Sequence, residues 1–305
     1  MSQAGAPRHD PVPIGEVARP PFARLPDPVS LFRLRAQRFA VLALDHDLAP
    51  YLRFMAGLSE AQHRVQDDLP EPDLPPADAL TRAREFGMPP LDRNQFVTSP
   101  ASEATLERLL ALAPQIDMPE MARAGLARAA QSHPAARDAM VRAVLADSMP
   151  VEALAEHVYV AAALQVHFAR MAARLDAASL VPVGDGACPA CGGPPVSSMV
   201  VGWHGAHGTR FCACPLCATL WNYVRIKCTL CGSTKGIGYL GIEESGDTIK
   251  AETCDSCRGY VKVLHQYKDP DVEPIADDVA TLGLDLLLRD AGYRRGSVNP
   301  FLLGY

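Results

Sequence analysis

Behind Asp27-Pro28, the stretch VSLFRLRAQRFAVLAL places apolar side chains at helical spacing, with an aspartate at the cap and proline in the first turn. The same period returns over about 48–66, 102–112, 119–131, 134–147 and 150–175, broken by the proline-dense DLPEPDLPPAD at 68–78. The last segment predicts an apolar stripe of Leu154, Val158, Ala161, Phe168, Met171 and Leu175. These segments are rich in Ala and Arg and poor in strand formers, so 27–180 reads as a helical domain with its own core. His157 and His167 stand alone within it and read as surface or core residues, not ligands.

The period changes near Val181. Over 181–268, Gly, Cys, Val and aromatic residues form short alternating runs such as LWNYVRIK and YVKVLHQY, and strands replace helices. One more helix is expected within 269–305, capped by Asp277 or Asp278, striped by Val279, Leu282 and Leu286, and stopped at Gly292. The apolar SVNPFLLGY that follows is expected to dock. At the other end, seven prolines in the first 28 residues make 1–26 a flexible arm, and without an apolar h-region it is not expected to act as a secretory signal.

Composition narrows the class. The 305 residues leave room for two domains, 48% are apolar, and the net charge of −6 argues against a dedicated nucleic-acid binder. No apolar run approaches the roughly 20 residues that cross a bilayer, so the cytoplasm is the expected compartment, without integral membrane contact. Cysteine placement says more. All nine lie between Cys188 and Cys257, which does not suit an exported disulfide scaffold and does suit metal ligation in a reducing cell.

Eight of the nine form Cys-x-x-Cys pairs: Cys188/Cys191, Cys214/Cys217, Cys228/Cys231 and Cys254/Cys257. A shift of 40 carries the first four onto the second four, so C-x2-C-x22-C-x2-C occurs twice in tandem. Gly192 falls on Gly232 and Arg210 on Lys250. The repeat assigns Cys188, Cys191, Cys214 and Cys217 to one ion and Cys228, Cys231, Cys254 and Cys257 to another; a cross-braced pairing, with first and third pairs sharing an ion, is the alternative. Two residues between cysteines let a tight turn aim both sulfurs at one point, and backbone N–H groups in that turn can donate to them. Pro189 and Pro215 preset the turn, and Gly192 and Gly232 permit the positive φ after it. The 22 intervening residues suit a β-hairpin. Disulfides or redox dithiols are the competing use of the same pairs. Cys212, whose repeat partner is Glu252, is outside the pattern and reads as a small strand residue, while Trp203, Trp221 and Tyr239 read as core of the β modules.

The doubled knuckles, the linking WNYVRIKC, the following KAETCDSCRGYVKVLHQYKDPDVEPIADDVATLGLDLLLRDAGY and the terminal SVNPFL resemble the formate dehydrogenase accessory protein FdhE family, most closely over about 180–305. That resemblance implies a cytoplasmic protein with rubredoxin-like modules. It would bind the catalytic subunit of respiratory formate dehydrogenase, a molybdenum- or tungsten-containing selenoenzyme, before or around twin-arginine-dependent export. It carries no catalytic residue over, and implies iron in the eight-cysteine sites, with zinc an equally good chemical fit.

The expectation is therefore an α+β chain: a helical domain over 27–180, rubredoxin-like (zinc-ribbon-like) modules over 181–225 and 226–268, and a C-terminal helix and docking tail over 269–305. Its function would be assembly, not catalysis. The competing readings are an electron-transfer or thiol protein acting on the client, and a zinc ribbon that binds nucleic acid. Against the last, Cys188 to Cys257 holds five Lys/Arg and five Asp/Glu, which gives little attraction for phosphates.

Overall fold

The computed structural model describes residues 20–242 and 246–302. The expected arm falls outside them up to residue 19, but Ala23–Arg24 form strand β1, which pairs with the first metal module. Helix α1 (Pro28–Leu42) starts as its sequence directs, with the Asp27 carboxylate accepting from Val29 N at 3.2 Å. Helices α2 (Ala49–Arg64), α3 (Ala77–Glu85), α4 (Pro100–Leu112), α5 (Glu120–Gln131), α6 (Pro134–Leu145) and α7 (Leu154–Ala172) complete the helical half. Helix α3 follows the proline-dense break and is an element not expected from the sequence. Helix α4 begins earlier than expected, because Ser99 and Ser102 form a capping box around Pro100.

Helix α7 departs from the single stripe. Fourteen of its nineteen residues are buried, so it is the central rod against which α1, α2, α4, α5 and α6 pack. Leu175, expected on the stripe, lies beyond the helix end. His157 and His167 are both buried in this rod.

The strand-rich half is one sheet. Strands β2 (Ser197–Val200), β3 (Arg210–Ala213) and β4 (Leu220–Asn222) belong to the first repeat, and β5 (Ile237–Leu240), β6 (Ile249–Cys254) and β7 (Gly259–His265) to the second. Their spatial order is β1-β4-β3-β2-β7-β6-β5. Within each unit pairing is antiparallel, but the seam between units is parallel, with Ser198 opposite Val263 and Val200 opposite His265. The seam also carries a buried ion pair, in which Arg210 of the first unit meets Glu252 of the second at 2.9 Å. Of the aromatic residues expected in the modules' core, Trp221 is buried, Trp203 is half-buried with its ring tilted 50° against Phe211, and Tyr239 is exposed while its hydroxyl donates to Glu252.

The C-terminal segment makes two helices where one was expected, α8 (Ala276–Ala280) and α9 (Leu282–Asp290), before the short strand β8 (Arg294–Arg295) pairs with β7. Neither Asp277 nor Asp278 is the cap. The Glu273 carboxylate takes that role, accepting from Ile275 N at 3.0 Å and Ala276 N at 2.7 Å. Both aspartates are instead fully buried inside α8. Asp277 pairs with Arg38 of α1, and Asp278 with Lys262 and Arg295. The break at Thr281 rephases the inward face of α9 to Leu284, Asp285 and Leu288, leaving Leu286 at the surface. Gly292, at φ +78°, follows the helix end as expected. The tail docks through buried Phe301 and Leu302, with the Tyr51 hydroxyl donating to the Phe301 carbonyl.

His167 lies edge-on to Phe96 and Phe168, and its Nδ1 has no hydrogen-bond partner. Burial, reinforced by Arg170, pulls its pKa down to about 4. The unfolded chain, at about 6.5, therefore binds the proton more readily. The stability this group contributes is complete above about pH 6.5 and is lost as pH falls toward 4, by up to about 3 kcal/mol. Urea titrations across that window are expected to show this slope in the native chain and a flatter one in His167→Leu.

Candidate metal centres

The knuckles are built by the same local geometry four times. In the first, Cys188 N donates to Gly193 O and Gly192 N to Cys188 O, both at 2.8 Å; in its counterpart 40 residues on, Cys228 N donates to Ser233 O at 2.8 Å and Gly232 N to Cys228 O at 3.1 Å. The residue after every second cysteine is left-handed: Gly192, Ala218, Gly232 and Arg258 have φ of 80°, 56°, 72° and 55°. Two of these are not glycine, a local cost accepted only where the surroundings dictate the backbone. Turn N–H groups point at sulfur, with Cys217 N at 3.4 Å from Cys214 Sγ and Leu230 N at 3.4 Å from Cys228 Sγ.

These turns bring the sulfurs together in two quartets, Cys188/Cys191/Cys214/Cys217 and Cys228/Cys231/Cys254/Cys257, each with all its sulfurs within 4.8 Å of one another. The pairing is within each repeat, not cross-braced. A tetrahedron with metal–sulfur bonds of about 2.3 Å has edges of about 3.8 Å. Between the two knuckles of each quartet, sulfurs lie at 3.6 Å (Cys188–Cys217), 3.4 Å (Cys191–Cys214), 3.8 Å (Cys228–Cys257) and 3.7 Å (Cys231–Cys254). A disulfide would draw them to about 2.05 Å. All nine cysteines are free thiols, so the donor set fits a tetrahedral thiophilic ion.

The quartets differ in their surroundings. The first is part of the main hydrophobic core, and its four cysteines are at most 2% exposed. The segment between α3 and α4 grips its first knuckle, with Leu91 N donating to Ala190 O at 2.8 Å and Arg93 N to Cys191 O at 3.1 Å. From α7, the buried Gln165 donates to Pro215 O at 2.8 Å. Arg93 is itself buried, with its side chain bound to the carbonyls of Val144 and Leu145 and to Asp147. Burial works against its charge, but Asp147 and the Cys191 and Cys214 thiols raise its pKa. A Cβ on Gly193 would sit 2.8 Å from the Arg93 guanidinium, so a glycine there lets the cation approach.

The second quartet is at the surface. Cys231 is exposed and Cys257 half-buried, while Cys228 and Cys254 are covered. Its first knuckle is anchored by Leu230, whose side chain fills a slot where a Cβ on Gly259 or Gly296 would clash. Burial works to raise the Cys254 thiol, yet N–H groups of Cys257 and Ser256 and the neighbouring thiols bring it down to about 7. Cys212 lies on β3, fully buried and outside both quartets, and burial pushes its thiol up to about 12. Arg93 and Gln165 escape sequence reasoning because nothing local links an arginine or a helical glutamine to cysteines tens of residues away.

Three family models match the chain: "FdhE, N-terminal" over residues 20–185, "FdhE, central domain" over 187–225 and "FdhE, C-terminal domain" over 226–302. It is 47% identical over 298 residues to "Protein FdhE homolog" of Rhizobium meliloti (strain 1021), covering 97% of both chains. It is 39% identical over 291 residues to the protein of that name from Stutzerimonas stutzeri (strain A1501), covering 93% of both. The crystal structure of the FdhE protein from Pseudomonas aeruginosa is similar at a TM-score of 0.82 and 34% identity, covering 93% of this chain and 99% of that one.

Two outcomes follow from this geometry. Elemental analysis of the purified chain is expected to find two ions per molecule, and Cys228→Ser is expected to lower this to one, since neither quartet borrows a ligand from the other. Ile226, exposed and β-branched, has a φ of +60°, where the repeat places Gly186 at +66°. Ile226→Gly is expected to stabilise the chain by about 1 kcal/mol in chemical denaturation, by relieving left-handed strain.

Proposed function

This chain belongs to the FdhE family, and from that premise we propose that it is an assembly factor that binds the catalytic subunit of respiratory formate dehydrogenase in the cytoplasm. The reading rests on one observation above others: similarity to the family runs through the helical, central and C-terminal parts alike, and all eight paired cysteines are assembled in two quartets. Cys188, Cys191, Cys214 and Cys217 would hold one ion, and Cys228, Cys231, Cys254 and Cys257 the other. Iron and zinc both suit four thiolates, and either would cross-link strands too short to support a core of their own.

The role proposed for the chain's own residues is recognition, not turnover. Its buried charges are spent on holding elements together. Arg35 meets Glu273 at 2.9 Å and Arg38 meets Asp277 at 2.6 Å, joining α1 to the C-terminal segment. Lys262 and Arg295 share Asp278 and Asp285 between β7, α8, α9 and β8. No helix among the described residues is long and apolar enough to cross a membrane.

Tagged native chain is expected to capture the formate dehydrogenase catalytic subunit from cells, and the serine variants of either quartet to lose that capture. Unchanged capture by folded variants would reject the modules as recognition elements; no capture by the native chain would reject the client.

A further inference from the structure

The two quartets share a ligand pattern but not an environment. Every sulfur of the first is enclosed, two knuckle carbonyls accept from the segment before α4, Gln165 of the central helix holds a third, and the Arg93 cation stands beside Cys191 and Cys214. To release an ion, this quartet must first separate the helical half from the modules. The second quartet has no such cover from the helical half. The C-terminal segment meets it on one side, where Arg294 N donates to Arg258 O and the Tyr293 hydroxyl to Asp255, both at 2.8 Å. The Tyr223 hydroxyl donates to Cys228 O at 3.2 Å. Among the described residues, no hydrogen bond from α1–α7 reaches its knuckles, and Cys231 opens directly to solvent beside half-buried Cys257. Its rim is polar, with the hydroxyls of half-buried Ser233 and exposed Ser256 3.0 Å apart.

We infer that the quartets have different jobs: the first is a closed structural lock, and the second is an exchange site, at which an ion passes to or from an external thiol or nitrogen ligand through Cys231. The step is a ligand substitution. An incoming donor forms a bond to the ion as the bond to Cys231 Sγ breaks. The proton that an incoming thiol gives up, or one from the buffer where the donor is a neutral nitrogen, passes to the displaced Cys231 thiolate, and no electron moves. Leu230, wedged against Gly259 and Gly296, holds the inner part of the site while the outer sulfur swings free. The first quartet cannot follow this route because its sulfurs present no face to an incoming ligand.

This inference rests on the reading that both quartets hold ions, and the test separates the two. The full-length chain, loaded with two equivalents of zinc, is mixed with the chromophoric chelator 4-(2-pyridylazo)resorcinol, and parallel samples receive a pulse of iodoacetamide mapped by mass spectrometry. One equivalent is expected to transfer at least about tenfold faster than the other, the scale on which the surroundings of a metal site tune it. Early alkylation is expected at Cys231 and Cys257, and Cys231→Ser should lack the fast phase while retaining the slow one. Release of both equivalents at one rate, or early alkylation within Cys188–Cys217, would overturn the division between the sites. A folded chain that takes up no zinc and alkylates at all eight paired cysteines alike would overturn the metal reading beneath it.

Discussion

Convergence of four sulfurs on one point is the constraint that the strand-rich half obeys. The strands of its two units, β2 to β7, run from three to seven residues, and the segments between them are turns and loops. Units of that size bury too little apolar surface to offset the entropy of ordering them. Each module is held by apolar clusters it shares with its neighbours, such as Met199, Phe211 and Leu264 across the seam, and by two knuckles whose backbone is dictated down to single left-handed residues. Ala218 and Arg258 accept an unfavourable conformation because the turn, not the side chain, decides it.

The first quartet extends that constraint to the helical half. Its knuckles are where the two parts of the chain meet, through Arg93 from one side and Gln165 from another. Gln165 also accepts from Gln62 at 2.9 Å and from Arg35, so a chain of buried polar groups runs from α1 and α2 through the central helix to the turn at Pro215. Charge is handled similarly at the other end, where Lys262 and Arg295 are balanced by Asp278 and Asp285 away from solvent. Removing one member of such a set leaves its partner charged and dry, which costs more than the intact set contributes.

What was legible in the sequence was what repeats or caps locally. The 40-residue period placed every paired cysteine and carries the bounds of β2 onto those of β5, 197–200 to 237–240. Asp27-Pro28 announced α1. What was not legible depends on distant partners. A period alone cannot say that α7 is covered on every side, because that is decided by five other helices. Asp277 and Asp278 look like caps in a row of residues, and become buried anions only because Arg38 and Lys262 arrive from elsewhere in the chain.

The parallel seam between β2 and β7 relates the two modules head to tail, not by a two-fold axis. Such a relation does not close on itself; each copy offers unlike edges, and stacking could in principle continue without limit. Here the β4 edge is ended by Ala23 and Arg24, two residues lying just ahead of the first helix. The array therefore stops at two on that side because the chain supplies its own terminator.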